Sequence, residues 1–558
     1  MRSPPEPEVC VARRKGEPTR RRTPSPRADA EGPLGPFAYI ALYAAYLGAL
    51  MVVYAPALDG PFVSDDLHYV AANAYVHGLS LENVWAILQP YGPATVAVVN
   101  YSPVQLLLHA TVWQLAGPET PAHHLLNLAF HAAAALLLLP VLRRSGLPLV
   151  AALLGSVLFL LHPANVEAVA WISQLKTSAA LTFGLGALLA CSRQRLLGAL
   201  LFGAALLSKA NAAVVLPVAF WFEWVRTRKL DRLSLAIWTG LFAVFALVEF
   251  TAHQRAGAAA ATLSDTPVTL VRTIAGLAAR YALLGYSGIG TSAFHEPEPA
   301  YSWADPWWLA SIPLLAFFGW RLWVGIRERR EEAGYWLMAL VSFGPVSQIF
   351  PFLYPFADRY LYFILPGLLG GALLLGQDVL ARVAEPRRAL LGRIALGLGV
   401  LLCVAFAFES RTRAEIWRSP ALILADAAKH YPTGVSASLQ RAKAAARLGD
   451  AQTAVAEIRN AMARGYNRFE QLQTDPAFAP IRHTAEFRSV LRELATDWIE
   501  AGRAWRDPTQ GELRKLASAH AVRGERDQAV ALLQRALARG GPLDSAIRAD
   551  LGRLGAAP

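Results

Sequence analysis

From residue 37 to residue 408 the apolar positions of this chain gather into long runs, separated by short polar stretches. A helix needs roughly 20 apolar residues to cross the hydrocarbon core of a bilayer. Runs at 37–57, 121–142, 148–163, 173–191, 195–209, 210–225, 233–251, 305–324, 334–353, 360–380 and 389–408 predict about eleven such spans. Several are short enough to tilt or to end inside a cavity. In the 195–225 stretch, Ser208-Lys209-Ala-Asn211 would be costly facing lipid and marks a turn or a wet cavity. The stretch 268–285 is amphipathic and carries Arg272 and Arg280, so it is expected to lie flat on the outer membrane surface. The predicted fold class is all-α: a polytopic membrane helical bundle with a small helical domain after it.

After residue 409 charges become frequent and the pattern is that of soluble helices. Ala442 to Gly465 and Ala517 to Gly540 align without gaps, with Ala446/Ala521, Gly449/Gly524, Ala454/Ala529, Val455/Val530 and Ala461/Ala536 identical. Each copy reads as helix, glycine turn, helix, which resembles a tetratricopeptide unit. Stacks of such units form concave surfaces that bind peptide, or act as a packing cap.

Composition sharpens this division. Of 558 residues, 54% are hydrophobic and only 17% are charged, so most of the chain is fitted to lipid. The formal charge of +12 does not imply a nucleic-acid partner, because the arginines cluster at the ends of apolar runs. Arg143-Arg144, Arg193 with Arg195, Arg226 to Lys229, Arg327 to Arg330, and Arg387-Arg388 fall on one side of the expected spans. The positive-inside rule places that side in the cytoplasm, with the tail 1–36. That tail, rich in Pro and Arg, reads as disordered. An odd number of spans then puts 409–558 outside, together with the loop 58–120. The expected location is the cytoplasmic membrane of a bacterium, with the C-terminal domain periplasmic. Three cysteines without a CxxC pair offer neither a disulfide framework nor a thiolate metal site.

Candidate chemistry lies on the outer side. Gly60-Pro-Phe-Val-Ser-Asp65-Asp66 puts adjacent carboxylates beyond the first span. They either cap the following helix or take a proton from an acceptor hydroxyl, with Asp65, Asp66 and His162 as conceivable ligands of a divalent cation. The third span ends in His162-Pro-Ala-Asn165-Val-Glu167-Ala-Val-Ala-Trp171, followed by Lys176. These groups form a polar knot pinning helix ends or line a site. Asp358-Arg359-Tyr360-Leu-Tyr362 either starts a helix under an aromatic belt or binds phosphate through Arg359. Lys209 snorkels or contacts phosphate.

The order Asp65-Asp66…Asn73, Tyr101-Ser-Pro103, His123-His-Leu-Leu-Asn127-Leu-Ala-Phe-His131, His162 to Trp171, and Asp358 to Tyr362 resembles one known group. It is similar to the membrane glycosyltransferases of the GT-C fold that carry C-terminal tetratricopeptide repeats, the transmembrane O-mannosyltransferases and their bacterial relatives. The resemblance covers the chain from about residue 37 onward. It implies a sugar donor linked to a polyprenyl phosphate, an acceptor that is protein or glycan, and a base at Asp65 or Asp66. It further implies that His162, Asn165, Glu167, Asp358 and Tyr360 line the site, and that Arg359 with Lys176 or Lys209 holds the donor phosphate. Tyr101-Ser-Pro and Gln174-Leu-Lys176 depart from the usual family pattern and leave the sugar open. Two other readings remain: a non-catalytic membrane scaffold whose repeats recruit a partner, and a transporter of the same lipid. Against the transporter, the polar groups lie at one face rather than at mid-bilayer.

Overall fold

The computed structural model describes residues 34–556 apart from 99, 192, 256–265, 350–353, 504, 506–507 and 542. Most of the expected N-terminal tail, 1–33, lies outside the described residues, as does Asp265. Every regular element is a helix. In chain order they are α1 (Pro36–Tyr54), then α2 (Leu81–Leu88), α3 (Pro93–Val98) and α4 (Pro103–Ala116) in the first long loop. The bundle continues with α5 (Thr120–Arg144), α6 (Leu149–Leu161), α7 (Val166–Ala170), α8 (Leu175–Ala190), α9 (Arg195–Leu206), α10 (Val215–Thr227) and α11 (Arg232–Arg255). It closes with α12 (Pro267–Ser287), α13 (Pro306–Glu328), α14 (Glu331–Phe343), α15 (Leu361–Ala381) and α16 (Arg387–Ile416).

The chain is a multi-pass membrane protein. Among the described residues, α1, α5, α11, α12, α13, α15 and α16 are seven helices long and apolar enough to cross a membrane. α6 and α7 together make an eighth, bent by 47°. The remaining expected spans fall on shorter helices: α8, α9, α10 and α14 have 16, 12, 13 and 13 residues. At 1.5 Å per residue, a helix of 13 residues covers about 20 Å, short of the hydrocarbon thickness. Each short helix gives way to a 3-10 turn at the same end of the bundle.

That end and the opposite one differ chemically. At the basic end, Arg226 bonds Glu331 through Nε at 2.7 Å and Ser145 at 3.2 Å, and Arg330 pairs with Asp378. At the carboxylate end lie Asp66, Glu167, Arg359 and His295. The C-terminal half of α12 packs here: Arg280 stacks 4.4 Å over Trp307 at the start of α13, and the Gly285 carbonyl meets His162. α12, expected from its sequence to lie flat on the surface, is itself long and apolar enough to span.

Close packing of α14 on α15 depends on small residues, as membrane helix pairs commonly do. A Cβ on Gly367 would lie 2.5 Å from the Tyr335 carbonyl and 2.6 Å from the Ala339 nitrogen.

α16 does not stop at residue 408 but runs to Ile416, carrying the chain out of the apolar zone on one continuous helix. The polarity boundary expected at 408/409 is therefore not a structural boundary, because a helix keeps its hydrogen bonds across a change of solvent. After it come α17 (Pro420–His430), α18 (Val435–Arg447), α19 (Ala451–Met462), α20 (Phe469–Thr474), α21 (Ala485–Gly502), α22 (Gln510–Arg523), α23 (Arg526–Ala538) and α24 (Asp544–Arg553). The two similar segments form the helix pairs α18–α19 and α22–α23. Each pair is turned by a left-handed glycine, Gly449 (φ 78°) and Gly524 (φ 84°), where a side chain would be strained.

Candidate functional site

Backbone strain opens the site. Ser64, not a glycine, has φ 51°, and it immediately precedes Asp65-Asp66. Such a conformation persists only where surrounding contacts fix it, and here they do. The Asp66 carboxylate accepts the Val63 N–H at 2.9 Å and the Ser173 N–H at 2.7 Å, and Trp171 Nε1 donates to the Val63 carbonyl at 3.2 Å. Asp66 is thus an anchor that ties the first loop to the turn before α8. Burial pushes its carboxyl up to about 7, against the two N–H donors that favour the anion; Asp65 adds to the rise. Asp65 beside it is half-buried, and its carboxylate has no hydrogen-bond or ionic partner among the described residues.

Glu167 and Arg359 form the floor. Glu167 accepts the Arg359 backbone N–H at 2.8 Å and pairs with its guanidinium, and both side chains are buried. The guanidinium also lies 4.8 Å over Tyr354, 4.8 Å over Tyr360 and 5.3 Å over Trp171, and donates to the Tyr360 hydroxyl at 3.3 Å. Arg359 is therefore committed to the protein rather than free to grip a ligand by both arms.

Two lysines face the same place. Lys176 Nζ donates to the Tyr69 hydroxyl at 2.9 Å and sits 4.1 Å over its ring. Lys209 Nζ donates to Thr177 Oγ1 at 2.8 Å. Neither lysine meets a carboxylate among the described residues, and both stay partly exposed. An excess of positive charge in a confined site is relieved by an anion. The Tyr354 hydroxyl lies in the field of Arg359, Asp65, Glu167 and also Arg468, which comes from the turn before α20.

The structure brings Asp65, Asp66, Glu167, Lys176, Lys209, Arg359 and Tyr360 together, but three other expected residues serve the fold. His162 Nδ1 accepts the Ala164 N–H at 3.2 Å, and its Nε2 meets the Gly285 carbonyl at 3.2 Å, so both nitrogens are used. Asn165 donates to the Phe159 carbonyl at 2.7 Å. Asp358 accepts the Ser292 N–H at 3.1 Å and meets His295 Nε2 at 2.7 Å. A cation held jointly by Asp65, Asp66 and His162 does not fit this arrangement, since both Asp66 oxygens and both His162 nitrogens already have partners. Among the described residues no group of three His, Cys, Asp or Glu side chains could hold a metal. Sequence reasoning missed Tyr69, Tyr354 and His295. A tyrosine three residues after Asp66 and another in the loop before Asp358 carry no signal of their own.

No family model matches this chain, and no curated protein matches it. Among solved structures, it is similar to ArnT from Cupriavidus metallidurans, whose crystal structure was determined bound to undecaprenyl phosphate. The identity is 13%, the match covers 84% of this chain and 81% of that one, and the TM-score is 0.33. At that level the similarity assigns no reaction.

Proposed function

We propose that the protein transfers a sugar from a polyprenyl-phosphate-linked donor to a hydroxyl of a protein or glycan acceptor on the extracytoplasmic side of a bacterial cytoplasmic membrane. The observation that carries this reading is the pair Lys176 and Lys209, two lysines without carboxylate partners among the described residues, at the end of the bundle where Asp65, also without a partner there, and Arg359 both act on Tyr354. Asp65 is the base: it takes the proton from the acceptor hydroxyl, whose oxygen bonds to the anomeric carbon. The bond from that carbon to the phosphate oxygen breaks, with inversion, and the electron pair leaves on the lipid phosphate. Lys176 and Lys209 stabilise the growing charge on that phosphate. Arg359, held by Glu167, adds its field from behind. Asp66 keeps the loop in place.

A lipid carrier suits the surroundings. An apolar groove lined by Ala278, Tyr281, Phe318, Trp336, Phe343 and Leu368 runs beneath α12. The hydroxyl of Tyr281 meets the Ala357 carbonyl at 3.4 Å, two residues before Arg359. A prenyl chain seated there would bring its phosphate to the lysines. The basic end of the bundle faces the cytoplasm by the positive-inside rule. In this reading the C-terminal helices, tetratricopeptide-like in sequence, serve the acceptor.

The test is release of polyprenyl phosphate from polyprenyl-phosphate mannose and polyprenyl-phosphate glucose by the purified, reconstituted protein. Asp65→Asn is expected to abolish release while leaving the protein folded. Full activity in Asp65→Asn would overturn the assignment and favour a scaffold.

A further inference from the structure

The loop between α12 and α13 behaves as a strap between two parts of the molecule. On one side, Ser292 N–H and His295 Nε2 bond the two oxygens of Asp358, at 3.1 and 2.7 Å. On the other side, Ala293 N–H bonds Asp426 of α17 at 2.8 Å, and His295 Nδ1 meets the Tyr431 hydroxyl at 3.0 Å. At the next residue, Glu296 accepts the Val435 N–H at the start of α18 at 2.6 Å. Asp426 is itself clamped by Arg413 near the end of α16, at 2.5 and 2.8 Å. His295 is only 3% exposed, with the ring of Phe356 set edge-on at 4.5 Å. Nothing in the chemistry proposed for the site uses this imidazole.

The two ring nitrogens of His295 have different jobs. Nε2–H donates to the Asp358 carboxylate, which leaves Nδ1 to accept from the Tyr431 hydroxyl. One imidazole thereby joins the C-terminal domain to the residue that precedes Arg359. The backbone N–H of Arg359 is in turn held by Glu167. A small shift of Asp358 would therefore move Arg359, and with it the field felt by Lys209.

We propose that His295 is a positioning residue that couples the C-terminal helical domain to the anion site: it fixes the start of α15 from Tyr431, so that the domain holds the donor-phosphate site in register. This rests on the function proposed above. A hydrogen bond of this kind is worth up to about a tenfold change in affinity. His295→Leu cuts both links, Tyr431→Phe cuts one, and His295→Gln preserves both, because its amide can donate to Asp358 and accept from Tyr431.

The experiment measures polyprenyl-phosphate Kd, together with KM and kcat for polyprenyl-phosphate mannose and glucose, in the full-length protein. The expected result is that His295→Leu and Tyr431→Phe raise Kd and KM by up to about tenfold with kcat within about twofold, and that His295→Gln restores wild-type values. A His295→Leu protein with unchanged Kd and KM overturns the inference, as does one in which kcat alone falls or His295→Gln is equally impaired. If His295→Leu does not fold, Tyr431→Phe, which loses a single oxygen, decides alone. A wild-type protein that neither binds the lipid phosphate nor releases it from donor overturns the underlying reading as well. An active wild type with indifferent variants overturns only the coupling.

Discussion

Removing Glu167 should unbalance the site more than removing any other single group. Its carboxylate takes both the backbone N–H and the guanidinium of Arg359, and the two side chains are 4% and 9% exposed. Taking away one partner of a buried ion pair costs about 3–5 kcal/mol, because the remaining charge stays out of water. Three aromatic faces and the Tyr360 hydroxyl remain around Arg359. Cation–π contacts of desolvated groups contribute about 2 kcal/mol, so Glu167→Ala should fall at the low end, about 3 kcal/mol. Glu167→Gln keeps an acceptor for the backbone N–H and should cost less, about 1–3 kcal/mol. The double variant Glu167→Leu/Arg359→Met buries no charge and should recover most of the loss. Unfolding of each variant in mixed micelles against dodecyl sulfate, followed by tryptophan fluorescence, gives the four free energies. A Glu167→Ala protein within about 0.5 kcal/mol of wild type would refute the argument, as would a double variant no more stable than Glu167→Ala.

Two further outcomes follow from the same structure. Asp66 has a folded-state pKa of about 7 against 3.8 unfolded, so between those values the folded protein holds a proton that the unfolded chain has lost. Stability from this group is therefore full below the unfolded pKa and declines as pH rises toward 7, by up to about 1.4 kcal/mol per pH unit. Asp66→Asn should flatten that slope in unfolding curves taken between pH 4 and 7, and an unchanged slope would contradict the assignment. It should also lower stability by about 1–3 kcal/mol, since the amide nitrogen would face a backbone N–H. On α15, Gly367→Val drives side-chain atoms into the Tyr335 carbonyl and Ala339 nitrogen and should destabilise by about 1–3 kcal/mol. Gly376→Val in the same helix meets nothing within 4 Å and serves as the control. Equal melting temperatures for the two valine variants would count against the close α14–α15 approach.

Polarity and spacing made much of this architecture readable. Each apolar run has a helix within it, and the charged ends of those runs announced two chemically different faces. The charge bias also put Asp65, Glu167, Lys176, Lys209 and Arg359 on one expected face. What the pattern could not give is which backbone donor arrives from elsewhere in the chain. Asp66 is an anchor only because the Ser173 N–H returns to it from 107 positions away. Asp358 is occupied because His295 comes back from 63 positions away. His162 looked like a site residue because histidine at a membrane face is costly, yet the same cost is met by one turn N–H and one carbonyl of α12. Span length was hard to read for a related reason. Hydropathy continues through the 3-10 turns that follow α9, precede α10 and follow α14, so these breaks are invisible in a count of apolar residues.

The central claim is that Lys176 and Lys209 form a phosphate site for a lipid. Its most direct test is native mass spectrometry of the detergent-purified protein with polyprenyl phosphate and with the matching polyprenol, comparing wild type with Lys176→Ala/Lys209→Ala. Charge-assisted contacts contribute about 1.5–3 kcal/mol each, so losing both should weaken phosphate binding by at least about 100-fold. The account predicts tight binding of polyprenyl phosphate by the wild type, weak binding of the polyprenol, and loss of that preference in the double variant. Equal affinity for the two lipids, or an unchanged preference without both lysines, would contradict it.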